Sequence, residues 1–141
     1  YSLATIGVFA VLIKMKDYTF EGFNGLGKRE PVLAATNTVF LLSLAGIPAT
    51  AGFMAKFYML SATIANGHVF WLVLLAIGCA AISVYYYFRV IQAMYFKEGE
   101  EEHAIATTPV FKALLVVVAV LLIVLGLFPQ WLIDNLYNPG F

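Results

Sequence analysis

The chain has 141 residues, of which 62% are hydrophobic, 16% aromatic and 11% charged. A soluble domain of this size carries about 25% charged and roughly 45–50% apolar residues. This composition, with a mean hydropathy of +0.90, excludes an ordinary water-soluble domain and points to an integral membrane protein. Eight Lys+Arg balance eight Asp+Glu, which leaves no basic field to attract nucleic acid. The single cysteine, Cys79, rules out an intrachain disulfide, a four-cysteine zinc site and an iron–sulfur cluster held by this chain alone. The first residue is Tyr1, with no charged n-region and no cleavage site, the expectation for a fragment or a processed product.

In chain order, residues 1–13 are free of charge. As a helix they rise about 20 Å, short of the roughly 30 Å hydrocarbon core, so they are expected to be the end of a spanning helix. A polar loop over 14–30 follows, with Lys14, Lys16, Asp17, Glu21, Lys28, Arg29 and Glu30. Its glycines Gly22, Gly25 and Gly27 mark turns. They read G-x-x-G-x-G, the wrong order for a dinucleotide fingerprint, and no strand–helix unit surrounds them. A second spanning segment is predicted over 31–63, interrupted at Gly46-Ile47-Pro48, with a re-entrant hairpin as its alternative. After the tight turn Ala65-Asn66-Gly67-His68, a third helix is predicted over 69–96 and then an acidic loop over 97–109. The last helix, over 110–133, contains 21 uncharged residues from Ala113 to Ile133. The reading is an all-α integral membrane fold: the end of one transmembrane helix plus three full ones, one of them broken.

Charge sets the orientation. The 14–30 loop carries four Lys/Arg, and the 97–109 loop with its flanks Arg89 and Lys112 carries three. The 64–68 turn and the tail after Ile133 carry none. Helix alternation puts the two basic loops on one side, which the positive-inside rule makes the cytoplasm or its organellar equivalent. Trp71 and Trp131 then fall near the opposite face, as in an aromatic belt.

Lys56 is the most informative residue. It sits in Gly52-Phe53-Met54-Ala55-Lys56-Phe57-Tyr58, in the far half of the broken segment and a turn or two from the second interface. An ionisable group at such depth is costly and usually faces a bundle interior or a water cavity. Withdrawal from water also makes the proton of a lysine exchangeable, which suits it to proton transfer. The competing reading is a lysine that snorkels to the far headgroups. The break weighs for function. Pro48 removes a backbone donor and clashes with the carbonyl of residue 44, Gly46 lets the chain unwind, and irregular backbone at membrane depth usually lines a hydrated cavity. Ala49, Gly52 and Lys56 fall on one helical face, where small residues leave room for water or another helix. Replacing an isolated cavity-facing lysine by leucine is expected to leave folding intact or improve it.

Other polar groups read as structural. Arg89 and Lys112 are expected as interfacial anchors. Tyr85, Tyr86 and Tyr87 offer hydroxyls to a proton path but also suit an interfacial belt. The run Glu98-Gly99-Glu100-Glu101-Glu102-His103 reads as a solvated loop rather than a cation site, and His68 stands alone in its turn. No arrangement of Ser, His, Asp or Cys suited to nucleophilic catalysis is present.

From Leu41 to Tyr58 (LLSLAGIPATAGFMAKFY) the sequence resembles subunit N of bacterial NADH-quinone oxidoreductase, respiratory complex I, the counterpart of mitochondrial NADH dehydrogenase subunit 2. The run Ala81-Ile82-Ser83-Val84-Tyr85-Tyr86-Tyr87-Phe88-Arg89-Val90, followed by Ala93-Met94-Tyr95-Phe96, resembles the family's next helix. The likeness extends over nearly the whole chain and about the last third of the family protein. It implies that residues 1–141 are the C-terminal part of a proton-translocating, antiporter-like membrane domain. It further implies a bacterial inner membrane, a non-cytoplasmic C-terminus and proton transfer by Lys56 on the broken helix. NADH, FMN, iron–sulfur clusters and quinone would belong to other subunits. Partners would be those membrane-arm subunits, lipid and protons. Two departures stand out: Ala49 where a second proline is usual and Ala55 where a glycine is usual. A subunit of a multisubunit sodium/proton antiporter and a passive structural helix bundle are the alternatives.

The seven-to-none charge asymmetry makes a direct prediction. A topology reporter fused after Asn135 reads as exported and one fused at Gly25 as cytoplasmic; the opposite labelling reverses the inward and outward ends.

Overall fold

The computed structural model describes residues 1–15, 17–65, 70–99, 105 and 107–137. All regular structure among these is helical. Seven helices follow in order: α1 (Ser2–Lys14), α2 (Leu26–Arg29), α3 (Pro31–Ala45), α4 (Ala51–Ala65), α5 (Phe70–Phe96), α6 (Pro109–Leu127) and α7 (Pro129–Tyr137). The fold is that of an all-α membrane protein, and the expected spanning segments are present. Helices α5 and α6 are each long and apolar enough to cross a bilayer, while α3 and α4 together make the broken segment.

Local sequence explains where the helices begin and end. Pro31 and Pro109 open α3 and α6 at the first helical position, where the missing N–H costs nothing. The Thr108 hydroxyl caps α6 by accepting from the Phe111 N–H at 3.4 Å. The last predicted helix needs a correction. The single helix expected over 110–133 stops at Leu127, turns at Phe128, and restarts at Pro129 as the short α7. Uncharged composition concealed the proline, which cannot continue a helix it does not start.

α3 is the centre of the packing and lies against α1, α5 and α6. Its Leu33, Ala34, Phe40, Leu41 and Leu44 meet Ala4 and Val11 of α1, Met94 of α5, and Leu115, Ala119 and Leu122 of α6 in one apolar core. Large side chains elsewhere on α5 and α6 face outward, among them Leu74, Ile77, Ile82, Val117 and Val120. In water these would be a liability; against lipid or further helices they are ordinary.

The two basic loops share one end of the bundle, as the charge count required. Lys112 pairs with Glu30 at 2.6 Å, Lys14 lies over the Phe111 ring at 5.3 Å, and Arg89 lies over the Phe20 ring at 4.9 Å. The Gly25 N–H donates to the Ala93 carbonyl at 3.2 Å. Arg29 donates to the carbonyls of Gly22 (3.2 Å) and Asn24 (2.7 Å), drawing the loop closed. Lys112, expected as a simple anchor, is therefore half of an ion pair, whereas Arg89 is exposed as an anchor should be. His68, Glu100, Glu101, Glu102 and His103 lie outside the described residues.

Gly126 of α6 is where the helix meets the break in the α3–α4 segment. A β-carbon there would stand 2.4 Å from the Thr50 carbonyl carbon and 2.6 Å from the Ala49 oxygen, whereas one at Gly78 would meet nothing. Backbone cannot swing aside as a side chain can. Gly126→Ala should therefore destabilise the fold by about 1–3 kcal/mol, and Gly78→Ala should not. Denaturation of the two variants in detergent checks this, and equal stability would refute the close approach.

Candidate functional site

The candidate site is the break. α3 ends in a Schellman turn, with Gly46 in the left-handed region at φ 83°. The Gly46 N–H reaches the Ser43 carbonyl at 3.1 Å, and the Ile47 N–H reaches the Leu42 carbonyl at 3.0 Å. Gly46 stops the helix; Pro48 lies beyond the turn, exposed, and its ring is not what ends α3. Ala49 also takes a left-handed conformation, φ 75°, which is closed to a proline ring and accounts for the absence of a second proline here. Thr50 closes the loop: its hydroxyl donates to the Ile47 carbonyl at 2.7 Å, and its carbonyl accepts from Phe53 to start α4.

The Schellman turn leaves the carbonyls of Leu44 and Ala45 to be satisfied. Lys56 does this. From the second turn of α4 its ammonium reaches back and donates to Leu44 O at 2.8 Å and Ala45 O at 3.0 Å. Ser43 answers in the other direction, its hydroxyl accepting from the Gly52 N–H at 3.2 Å. Each half-helix thus caps the other. A cation on exposed C-terminal carbonyls also complements the helix dipole. Among the described residues no carboxylate pairs with Lys56.

Two expectations change. Ala49 precedes α4 and so does not share a helical face with Gly52 and Lys56. Gly52 does not open space: a β-carbon there would run into the Ser43 carbonyl, so the glycine permits backbone contact between the halves. The competing snorkelling geometry is not adopted: the Lys56 side chain turns back to the level of residues 44–45. The space beside it is a cleft of about 230 Å³ walled by α3, α4 and α5, with Ser83 and Tyr87 on its lining. Of the three tyrosines, Tyr87 lines this cleft, while Tyr85 and Tyr86 face outward. No group of three or more metal-ligating side chains occurs among the described residues. Ser43 and Gly126 were not singled out from the sequence. Their roles depend on which backbone atoms the break brings near, and no residue spacing announces that.

A helix broken at a lysine-capped turn, packed in an all-helical bundle whose long helices are apolar enough to cross a bilayer, defines the class as a helical membrane protein. Residues 1–83 match the family described as NADH:quinone oxidoreductase/Mrp antiporter, transmembrane, and the chain belongs to that family. NADH-quinone oxidoreductase subunit N of Trichlorobacter lovleyi is 43% identical over 141 residues, covering 95% of this chain and 28% of that protein. F(420)H(2) dehydrogenase subunit N of Methanosarcina mazei is 49% identical over 112 residues, covering 78% of this chain and 22% of its own length. A chain of respiratory complex I from Thermus thermophilus with bound aureothin superposes with a TM-score of 0.82 at 33% identity, over 91% of this chain and 30% of that one. The chain spans less than a third of the length of these relatives.

The capping geometry reverses the expectation that leucine is harmless at position 56. Lys56→Leu strips the ammonium donors from both carbonyls, at about 1–3 kcal/mol for each one left unsatisfied. Lys56→Arg keeps a cation and its donors within reach and should be less damaging. Denaturation midpoints of the two variants decide the point. A leucine variant as stable as the wild type would mean that the cap contributes nothing.

Proposed function

We propose that the chain is the C-terminal part of a proton-translocating, antiporter-like subunit in the membrane arm of an NADH:quinone oxidoreductase. On this reading, protons cross the membrane here while electrons pass from donor to quinone in other subunits. The observation that carries the reading is Lys56, held on the carbonyl end of a broken helix with no carboxylate pairing it among the described residues. NADH, FMN, the iron–sulfur clusters and quinone then belong to partner subunits. The partners of this chain are the neighbouring membrane-arm subunits, the surrounding lipid and the protons it moves. Relatives named for NADH and for F(420)H(2) share this sequence, so the choice of electron donor falls to those other subunits. The membrane is the bacterial inner membrane, with the C-terminus on the non-cytoplasmic side.

Mechanistically, Lys56 holds a proton where two carbonyl dipoles favour its charged form and the low-dielectric surroundings oppose it. A change of charge on a neighbouring element shifts that balance. When Lys56 loses its proton, the attraction of a cation for the two carbonyls is lost, so protonation is coupled to how firmly the halves of the helix are clasped.

The test is proton translocation by the native complex in vesicles, normalised to assembled enzyme. Lys56→Ala should lower it by about ten-fold or more, a conservative figure for the loss of one positioned proton-transfer group. Lys56→Arg should also fail despite its better stability, because arginine stays protonated. Exposed Lys97 is the control, and its alanine variant should pump normally. Wild-type pumping by Lys56→Ala would leave Lys56 a structural cap and the proposal wrong.

A further inference from the structure

The cleft beside Lys56 singles out one of three adjacent tyrosines. Successive residues on a helix point about 100° apart, so Tyr85, Tyr86 and Tyr87 cannot share a side. Tyr85 and Tyr86 are 67% and 56% exposed and meet each other edge to face, 6.3 Å between centroids. Tyr87 turns inward, packs against the core and lines the cleft with Lys56 and with Tyr1 of the first segment.

Depth agrees with direction. Asn37 of α3 meets Met94 of α5 at 3.5 Å, which fixes the register of the two antiparallel helices. Moving seven residues outward from this contact, about 10 Å of helical rise, reaches Leu44 on α3 and Tyr87 on α5. Tyr87 therefore stands at the level of the carbonyl that holds the Lys56 ammonium. Ser83 follows one turn further on the same face of α5, also on the cleft lining. Its hydroxyl donates to the Cys79 carbonyl at 3.0 Å, which leaves its oxygen free to accept. The cleft is roomy enough for several water molecules between these groups.

We propose that Tyr87 is the group next to Lys56 in the proton path, with water in the cleft between them, Ser83 steadying that water, and Tyr1 beyond. This rests on the proton-translocating function proposed above. The transfer is a simple exchange of bonds. A Lys56 N–H bond breaks as an O–H bond forms on the adjacent water, leaving a neutral amine. That water passes a proton to the Tyr87 oxygen as the original Tyr87 O–H proton leaves for the Tyr1 oxygen, which passes on its own. One proton enters the relay at Lys56 and one leaves Tyr1 for water, nothing is oxidised or reduced, and a proton reaching Lys56 from outside this relay reloads it.

The test uses the native complex in proteoliposomes and measures protons translocated per electron pair, normalised to assembled enzyme. Tyr87→Phe keeps the ring and removes the hydroxyl. It should cut translocation by roughly ten-fold, less than the largest effects of a proton-transfer group because water can occupy the vacated place. Ser83→Ala should give a smaller loss in the same direction, and Tyr85→Phe and Tyr86→Phe none. A Tyr87→Phe enzyme that pumps normally beside a defective Lys56→Ala enzyme overturns the relay and leaves the broader function standing. Normal pumping by both overturns the two together. Cys79 on the same lining supplies a second reading. A water-soluble methanethiosulfonate reagent should modify it in the membrane-embedded complex, and failure to react would mean the cleft is dry and the relay lacks its water.

Discussion

A helix that stops inside a membrane leaves carbonyl oxygens with no solvent to bond, each at a cost of about 2–7 kcal/mol if left alone. That unmet need at the end of α3 organises the surroundings. The Schellman turn at Gly46 satisfies two carbonyls. The remaining two are met by Lys56, which has to come from α4 and fold back over the break. The reach of one side chain thus fixes how far apart the two halves sit. Gly52 and Gly126 are glycines because the backbone at that distance admits no side chain.

The bundle is held unevenly along its length. At the end carrying the basic loops, the Glu30–Lys112 pair and the Asn37–Met94 contact tie the start of α3 to α6 and α3 to α5, and Arg29 of α2 draws its own loop closed. Beyond the break α4 buries little besides Gly52, and Phe57, Tyr58 and Met59 are exposed. The half-helix that bears the lysine is the less constrained one, while the carbonyls that receive its ammonium belong to the part most firmly held.

Much of the architecture was legible from charge and hydropathy. The membrane class, the spanning segments, the interruption at Gly46–Pro48 and the grouping of the basic loops at one end rest on effects that sum over many residues and survive local detail. The failures came from single backbone positions. Pro129 split a run whose composition gave no hint of a boundary. Pro48 looked like the helix breaker, yet Gly46 had already turned the chain. The sequence marked Lys56 as unusual but not its partners, the carbonyls of Leu44 and Ala45, since spacing along a helix says where a side chain starts and not how far back a flexible one can reach. Among Tyr85, Tyr86 and Tyr87 sequence alone offered no choice, because helix phase decides it and phase depends on the packing of α5.

The partners of Lys56 on α3 are peptide oxygens, and this has a genetic consequence. A peptide oxygen belongs to every residue type alike, so replacing Leu44 or Ala45 changes a side chain and leaves the acceptor in place. Mutational scans will therefore find the donor and pass over what it binds. The acceptor pair is inherited through the shape of the main chain, and chemistry that edits that chain directly, such as exchange of an amide for an ester, is what would expose it.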